Sequence, residues 1–93
     1  MEVIATNVYL IERIEDELED AEEYMWKALD HKHSAPALAD TLYKIADAEM
    51  QHAQMLKAHL SGEIEHHMRE WLEHKWTDEM LKIKRMQDMF SKK

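Results

Sequence analysis

Leu42-Tyr43-Lys44-Ile45-Ala46-Asp47-Ala48-Glu49-Met50-Gln51-His52-Ala53-Gln54-Met55-Leu56 is the stretch on which the fold turns. With Leu38 ahead of it and Leu60 behind, it carries a series that advances by three or four residues per step: Leu38, Leu42, Ile45, Glu49, His52, Leu56, Leu60. That is the spacing of one face of an α-helix. Two members are not apolar. Glu49 and His52 stand at i and i+3, where a core is expected, and a buried carboxylate without a partner is costly enough to demand compensation. A metal ion shared by the two side chains supplies it. So does a satisfied core pair, with Glu49 hydrogen-bonded to His52 or to Tyr24, and position alone gives the two readings equal weight.

Outward from this segment the chain reads as three long helices, over about residues 2–32, 35–60 and 63–91. The first has three neighbouring heptad columns: Ile4, Ile11, Leu18 and Met25; Ile14, Ala21 and Ala28; and Val3, Leu10, Glu17 and Tyr24. Glu17 is thus set among core-type residues, whereas Glu12, Glu19 and Glu23 fall on other faces. The stretch His31 to Pro36 breaks the pattern, with Ser34 as an N-cap and Pro36 suited to a first helical turn. Ser61-Gly62 is expected to close the second helix. The third carries Ile64, Met68, Leu72, Trp76, Met80, Ile83 and Phe90 in one continuous phase, so Thr77-Asp78 is read as helix interior. Each helix spans about 40–45 Å at about 1.5 Å per residue, and the short connections predict antiparallel neighbours. Rods striped on one side need partners, and Trp71 and Trp76 add apolar load to the third. A homo-oligomer is expected.

Composition agrees. Ninety-three residues make one domain, and a single Gly and a single Pro among abundant Leu, Ala, Glu, Lys and Met predict an almost wholly helical chain. The absence of cysteine excludes disulfides, thiolate zinc sites and cysteine nucleophiles. No apolar run reaches the roughly 18 residues of a membrane span, and the N-terminus lacks the build of a signal peptide, so no membrane association and a cytoplasmic location are expected. The net charge of −8 is concentrated in residues 1–30, where ten acids face only Arg13 and Lys27. Such a body disfavours nucleic acid and suits cations, although a solvated acidic face explains most of these charges.

The bare pattern Glu-x-x-His carries little weight by itself. Glu63-Ile-Glu-His66 repeats it, largely off the apolar stripe of the third helix. Glu17 adds the missing context. In helical bundles that hold a metal pair, two helices each give one Glu and two others each give a Glu-x-x-His, all pointing inward. Glu17 with Glu49 and His52 is half of that set, which two copies about a two-fold axis complete. Oxygen-rich ligands with one imidazole per metal suit iron or manganese, and zinc is also admissible. Met50, His52, Met55 and His59 suggest copper more weakly, because Met at helical spacing is usually core filling. His66, His67 and His74 offer a weaker surface alternative.

The segments Asp16-Glu17-Leu18-Glu19-Asp20-Ala21-Glu22-Glu23-Tyr24 and Ala46-Asp47-Ala48-Glu49-Met50-Gln51-His52-Ala53 resemble the rubrerythrin branch of the ferritin-like superfamily. Glu17 precedes Tyr24 by seven residues and Glu49 by 32, as in that pattern, and the likeness covers about residues 3–60. The resemblance implies an all-α ferritin-like four-helix bundle completed by homo-oligomerisation, as a homodimer or higher even oligomer. It further implies Glu17, Glu49 and His52 as metal ligands and Tyr24 as a nearby phenol. Two irons per dimer site would oxidise ferrous iron or react with oxygen or peroxide. A second embedded Glu-x-x-His is absent from the third helix, as in short ferritin-like proteins that build the site across a dimer, including those carried inside encapsulin shells. The competing reading is a metal-free helical oligomer acting as an interaction or structural module, in which the three residues form a buried polar network that fixes register.

Overall fold

The structure, a computed structural model, describes residues 2–60 and 66–92, with side chains described for 6–60 and 68–92. All of its regular structure is helical: α1 (Glu2–His31), α2 (Pro36–Lys57) and α3 (His66–Ser91). The segment 61–65, with the expected Ser61-Gly62 stop and Glu63, lies outside the described residues.

α1 is the central element, because both other helices pack on it. Among its described side chains the three heptad columns face inward: Ile14, Ala21, Met25 and Ala28 are fully enclosed, Leu18 nearly so, Leu10 and Ile11 close behind, and Tyr24 half-buried; Val3 and Ile4 lie outside the described side chains. Each large side chain removed from water in this way contributes about 1.5–3 kcal/mol. The helix ends at His31, whose ring Nδ1–H donates to the Lys27 carbonyl at 3.1 Å. Ala35 N–H then closes the turn onto the His31 carbonyl at 2.9 Å.

α2 starts without the expected Ser34 cap. Its N-cap is Ala35, extended at φ −145°, with Pro36 in the first turn and no side-chain cap. The reason is local: proline drives the residue before it out of the helical region and brings no N–H of its own to be satisfied. The C-terminal end also differs from the expectation of residue 60. Ala58 N–H still reaches the Gln54 carbonyl, but His59 and Leu60 bond only three residues back, to Leu56 and Lys57, so the last turn tightens and the α-helix stops at Lys57. The larger correction concerns the buried face. It runs through Ala39, Ala46, Met50 and Ala53, about a quarter-turn from the Leu38–Leu60 series. On that series Leu38 is exposed, Leu42, Ile45 and Leu56 are half-buried, and His52 is exposed.

α3 is one uninterrupted helix through Thr77-Asp78, as its phase predicts. It buries Leu72, Met80 and Ile83, and also Met86. Register with α1 is set by contacts sixty residues apart. Glu15 feels the charge of Lys75, Glu22 pairs with Lys82, and Lys32 Nζ donates to the Lys92 carbonyl. A constant difference means that α1 and α3 run parallel. Between α2 and α3 the numbers instead sum to a constant: Tyr43 stacks on Phe90 at 5.0 Å, Gln87 donates to Asp47 at 3.3 Å, and Lys57 lies over Trp76 at 4.3 Å. Those helices are antiparallel. The result is an up-down-up arrangement, 50 Å long and 19 by 15 Å across.

Candidate metal centre

The site forms where α1 and α2 cross at Glu17. Its column position places the carboxylate against α2, and only 8% of the residue is exposed. The two oxygens have different surroundings. Oε1 accepts from Arg13 Nη2 at 3.0 Å, a charge-assisted bond within one turn of α1. Oε2 is a buried side-chain atom without a hydrogen-bond partner among the described residues, with His52 Nδ1 standing off at 3.6 Å. Asn7 is the other buried polar residue of the described core.

α2 brings Glu49 and His52 to the same place from one helix turn. One ligand atom from each of Glu17, Glu49 and His52 lies within 4.8 Å of the others, and among the described residues this is the one such group of three. A first-row dication stands about 2.0–2.2 Å from its nitrogen and oxygen ligands, so ligand pairs around it lie within roughly 4.4 Å of each other. The group is therefore close to a coordinating set, and small side-chain rotations bring it there. The unpartnered Oε2 is the strongest local sign of a fit, since a cation supplies the charge it lacks.

Electrostatics points the same way. The Glu49 carboxyl is pushed up to about 7. The leading cause is the neighbouring Glu17 carboxylate, to which a protonated Glu49 can donate, followed by burial and by the negative charge of Glu17, while His52 pulls it down. Two carboxylates this close ionise together only with difficulty, and a proton or a metal ion between them removes the conflict.

A groove of about 300 Å³ leads to the site, lined by Tyr9, Arg13, Glu17, His52, Met55 and Leu56. Its rim is apolar and open, with Tyr9 59% and Met55 65% exposed. The His52 side chain is 54% exposed, so one edge of the ligand set faces outward from the chain.

Of the residues singled out from sequence, Glu17, Glu49 and His52 converge. Tyr24 packs half-buried against the core one heptad along α1, about 10 Å of helix axis from Glu17. Met50 is buried while Met55 and His59 are exposed, so the copper set does not gather. The side chains of His66 and His67 lie outside the described residues, and His74 is exposed. Arg13 joins the converging three as a residue that the ligand pattern does not mark; its signal in the sequence is its place four residues before Glu17. Comparison with protein-family models, with curated proteins and with solved structures finds no match.

Proposed function

We propose that the protein is a ferritin-like dimetal carboxylate protein in which two copies share a site built from Glu17, Glu49 and His52 of each, taking up ferrous iron and oxidising it with oxygen or peroxide. The single observation carrying this reading is the convergence of two carboxylates and an imidazole around a buried carboxylate oxygen that, with Glu49 ionised, has no hydrogen-bond partner among the described residues. Iron, with manganese or zinc as alternatives, suits this oxygen-rich donor set. Bound iron supplies one-electron chemistry, and the chain supplies the rest. Glu17 and Glu49 offset the cation charge, and His52 adds a nitrogen donor. Tyr24, one heptad from Glu17, is positioned to serve as a proton or electron source only through intervening groups.

Sharing between copies rests on shape. Three ligands from one chain leave coordination positions open, and their outward edge is rimmed by exposed apolar side chains. A second chain laid over that edge covers Met55 and Tyr9 and brings a second ligand set. The test is elemental analysis and calorimetric titration of purified protein with Fe²⁺ under argon, then oxidation on admitting air. About one metal per chain, lost in Glu49→Ala and His52→Ala, is the expected result. Iron oxidation by the double variant at the rate of the parent rejects the assignment.

A metal-free oligomer is the second reading, favoured by exposed aromatic surface away from the site, with Trp26 51% and Trp71 42% exposed. In that case iron reconstitution leaves the protein without bound metal while it remains associated.

A further inference from the structure

Arg13 is anchored entirely by α1. Its Nη2 donates to Glu17 Oε1 at 3.0 Å, and its Nη1 lies 3.5 Å from Asp16 Oδ2. Both partners come from the following turn of the same helix, so neither contact of the guanidinium depends on a residue of α2. Two consequences follow for Glu17. One oxygen is engaged, which turns the other towards Glu49 and His52. A fixed positive charge also stands beside the position at which a second cation would be held.

Resting on the metal-site reading above, we propose that Arg13 is a resident counter-cation of the site. It is a positioning residue that makes Glu17 a one-oxygen donor and sets how strongly the chain takes a divalent ion. In the metal-free chain the guanidinium stabilises a buried carboxylate that otherwise has no charged partner at hydrogen-bond distance among the described residues. Once a dication is present the same guanidinium becomes a like charge, one carboxylate group away. In a partly exposed setting, with the Arg13 side chain 45% exposed, that repulsion weakens binding on the order of tenfold. The Arg13–Glu17 bond is present with and without metal, so its loss lowers the stability of both states, whereas the repulsion is relieved only in the metal-bound one, and by linkage that difference appears as tighter binding.

The experiment titrates Co²⁺ by calorimetry into wild type, Arg13→Met, Arg13→Lys and Glu49→Ala, and melts each protein without metal and at Co²⁺ saturation. Arg13→Met is expected to bind about tenfold tighter than wild type. It should melt at a lower temperature when metal-free, with the gap narrowing at saturation. Arg13→Lys, which keeps the charge, should stay close to wild type in affinity. A residue that served the fold alone would lower both melting temperatures equally and leave affinity unchanged; that result, or weaker binding, overturns the inference. If wild type binds Co²⁺, Glu49→Ala does not, and Arg13→Met binds no tighter, the counter-cation role falls while the metal site stands. If neither wild type nor Arg13→Met takes up Co²⁺, both fall.

Discussion

Glu49 makes the site sensitive to pH in a direction opposite to that of most carboxylates. In the folded chain it holds its proton up to about 7, against an ordinary value of 4.5. Below the ordinary value it is protonated in both folded and unfolded chains and contributes no difference. Between the two values only the folded chain retains the proton, so the stability from this group falls as pH rises, and above about 7 the full penalty of ionising it beside Glu17 is felt. Metal-free wild type should thus lose more thermal stability than Glu49→Gln between about pH 5 and about pH 7.5, measured by melting curves. Identical slopes would remove the shared proton. Because a cation competes with that proton, uptake below neutral pH should release protons, seen as buffer-dependent calorimetric heats. Glu17 and Glu49 were legible in the sequence because each interrupts an apolar column, and polar residues in such columns need a reason. Arg13 was not, because its part depends on which Glu17 oxygen its side chain reaches, and spacing alone does not fix a rotamer.

At the scale of the helices, the α1–α2 seam is built from small residues. Ala21 and Ala28 on one side and Ala39, Ala46 and Ala53 on the other are wholly enclosed, which lets the two backbones approach closely. Ala46→Leu should therefore cost about 1–3 kcal/mol, read as a lower urea midpoint, since the extra volume has nowhere to go. α3 is held by larger groups, Leu72, Met80, Ile83 and Met86. Ile83→Ala opens a cavity in its hold on α1 and should cost about 2–5 kcal/mol in the same measurement. This alanine seam is the reason the buried face of α2 departs from the expected stripe. A stripe drawn through the largest apolar residues follows Leu38, Leu42, Ile45 and Leu56, yet close helices place their smallest residues at the centre and the leucines at the margin. α1 was read correctly because it is covered from two sides. Its buried arc is wide enough that three adjacent columns all report it. The tight end of α2 and the missing Ser34 cap were beyond pattern reading, since both follow from turns of only a few residues around Pro36 and Ala58.

The whole molecule is slender. Its radius of gyration is 15.1 Å, against about 12 Å for a compact domain of this length. Its surface is 6397 Å², against roughly 5,700 Å² for a compact monomer of this mass. An elongated chain with an open apolar margin on α2 is expected to associate through that margin. Leu38→Glu combined with Met55→Glu should give a smaller species in sedimentation velocity with unchanged helical circular dichroism. An unaltered sedimentation coefficient would place the contact elsewhere. That all three helices form was legible in the sequence; that α3 runs beside α1, with only side-chain reach to α2, was not, because its stripe names what is buried and not by whom. The parallel course of α1 and α3 has an electrical consequence. Two carbonyl-rich, partly negative helix ends lie together at one tip of the rod, where Lys32 Nζ donates to the Met89 carbonyl at 3.4 Å and to that of Lys92. Three helices cannot cancel in pairs, so one macrodipole is left over along the long axis. Two such rods set side by side lower their field energy by pointing in opposite senses, which is the arrangement a two-fold axis perpendicular to their length produces.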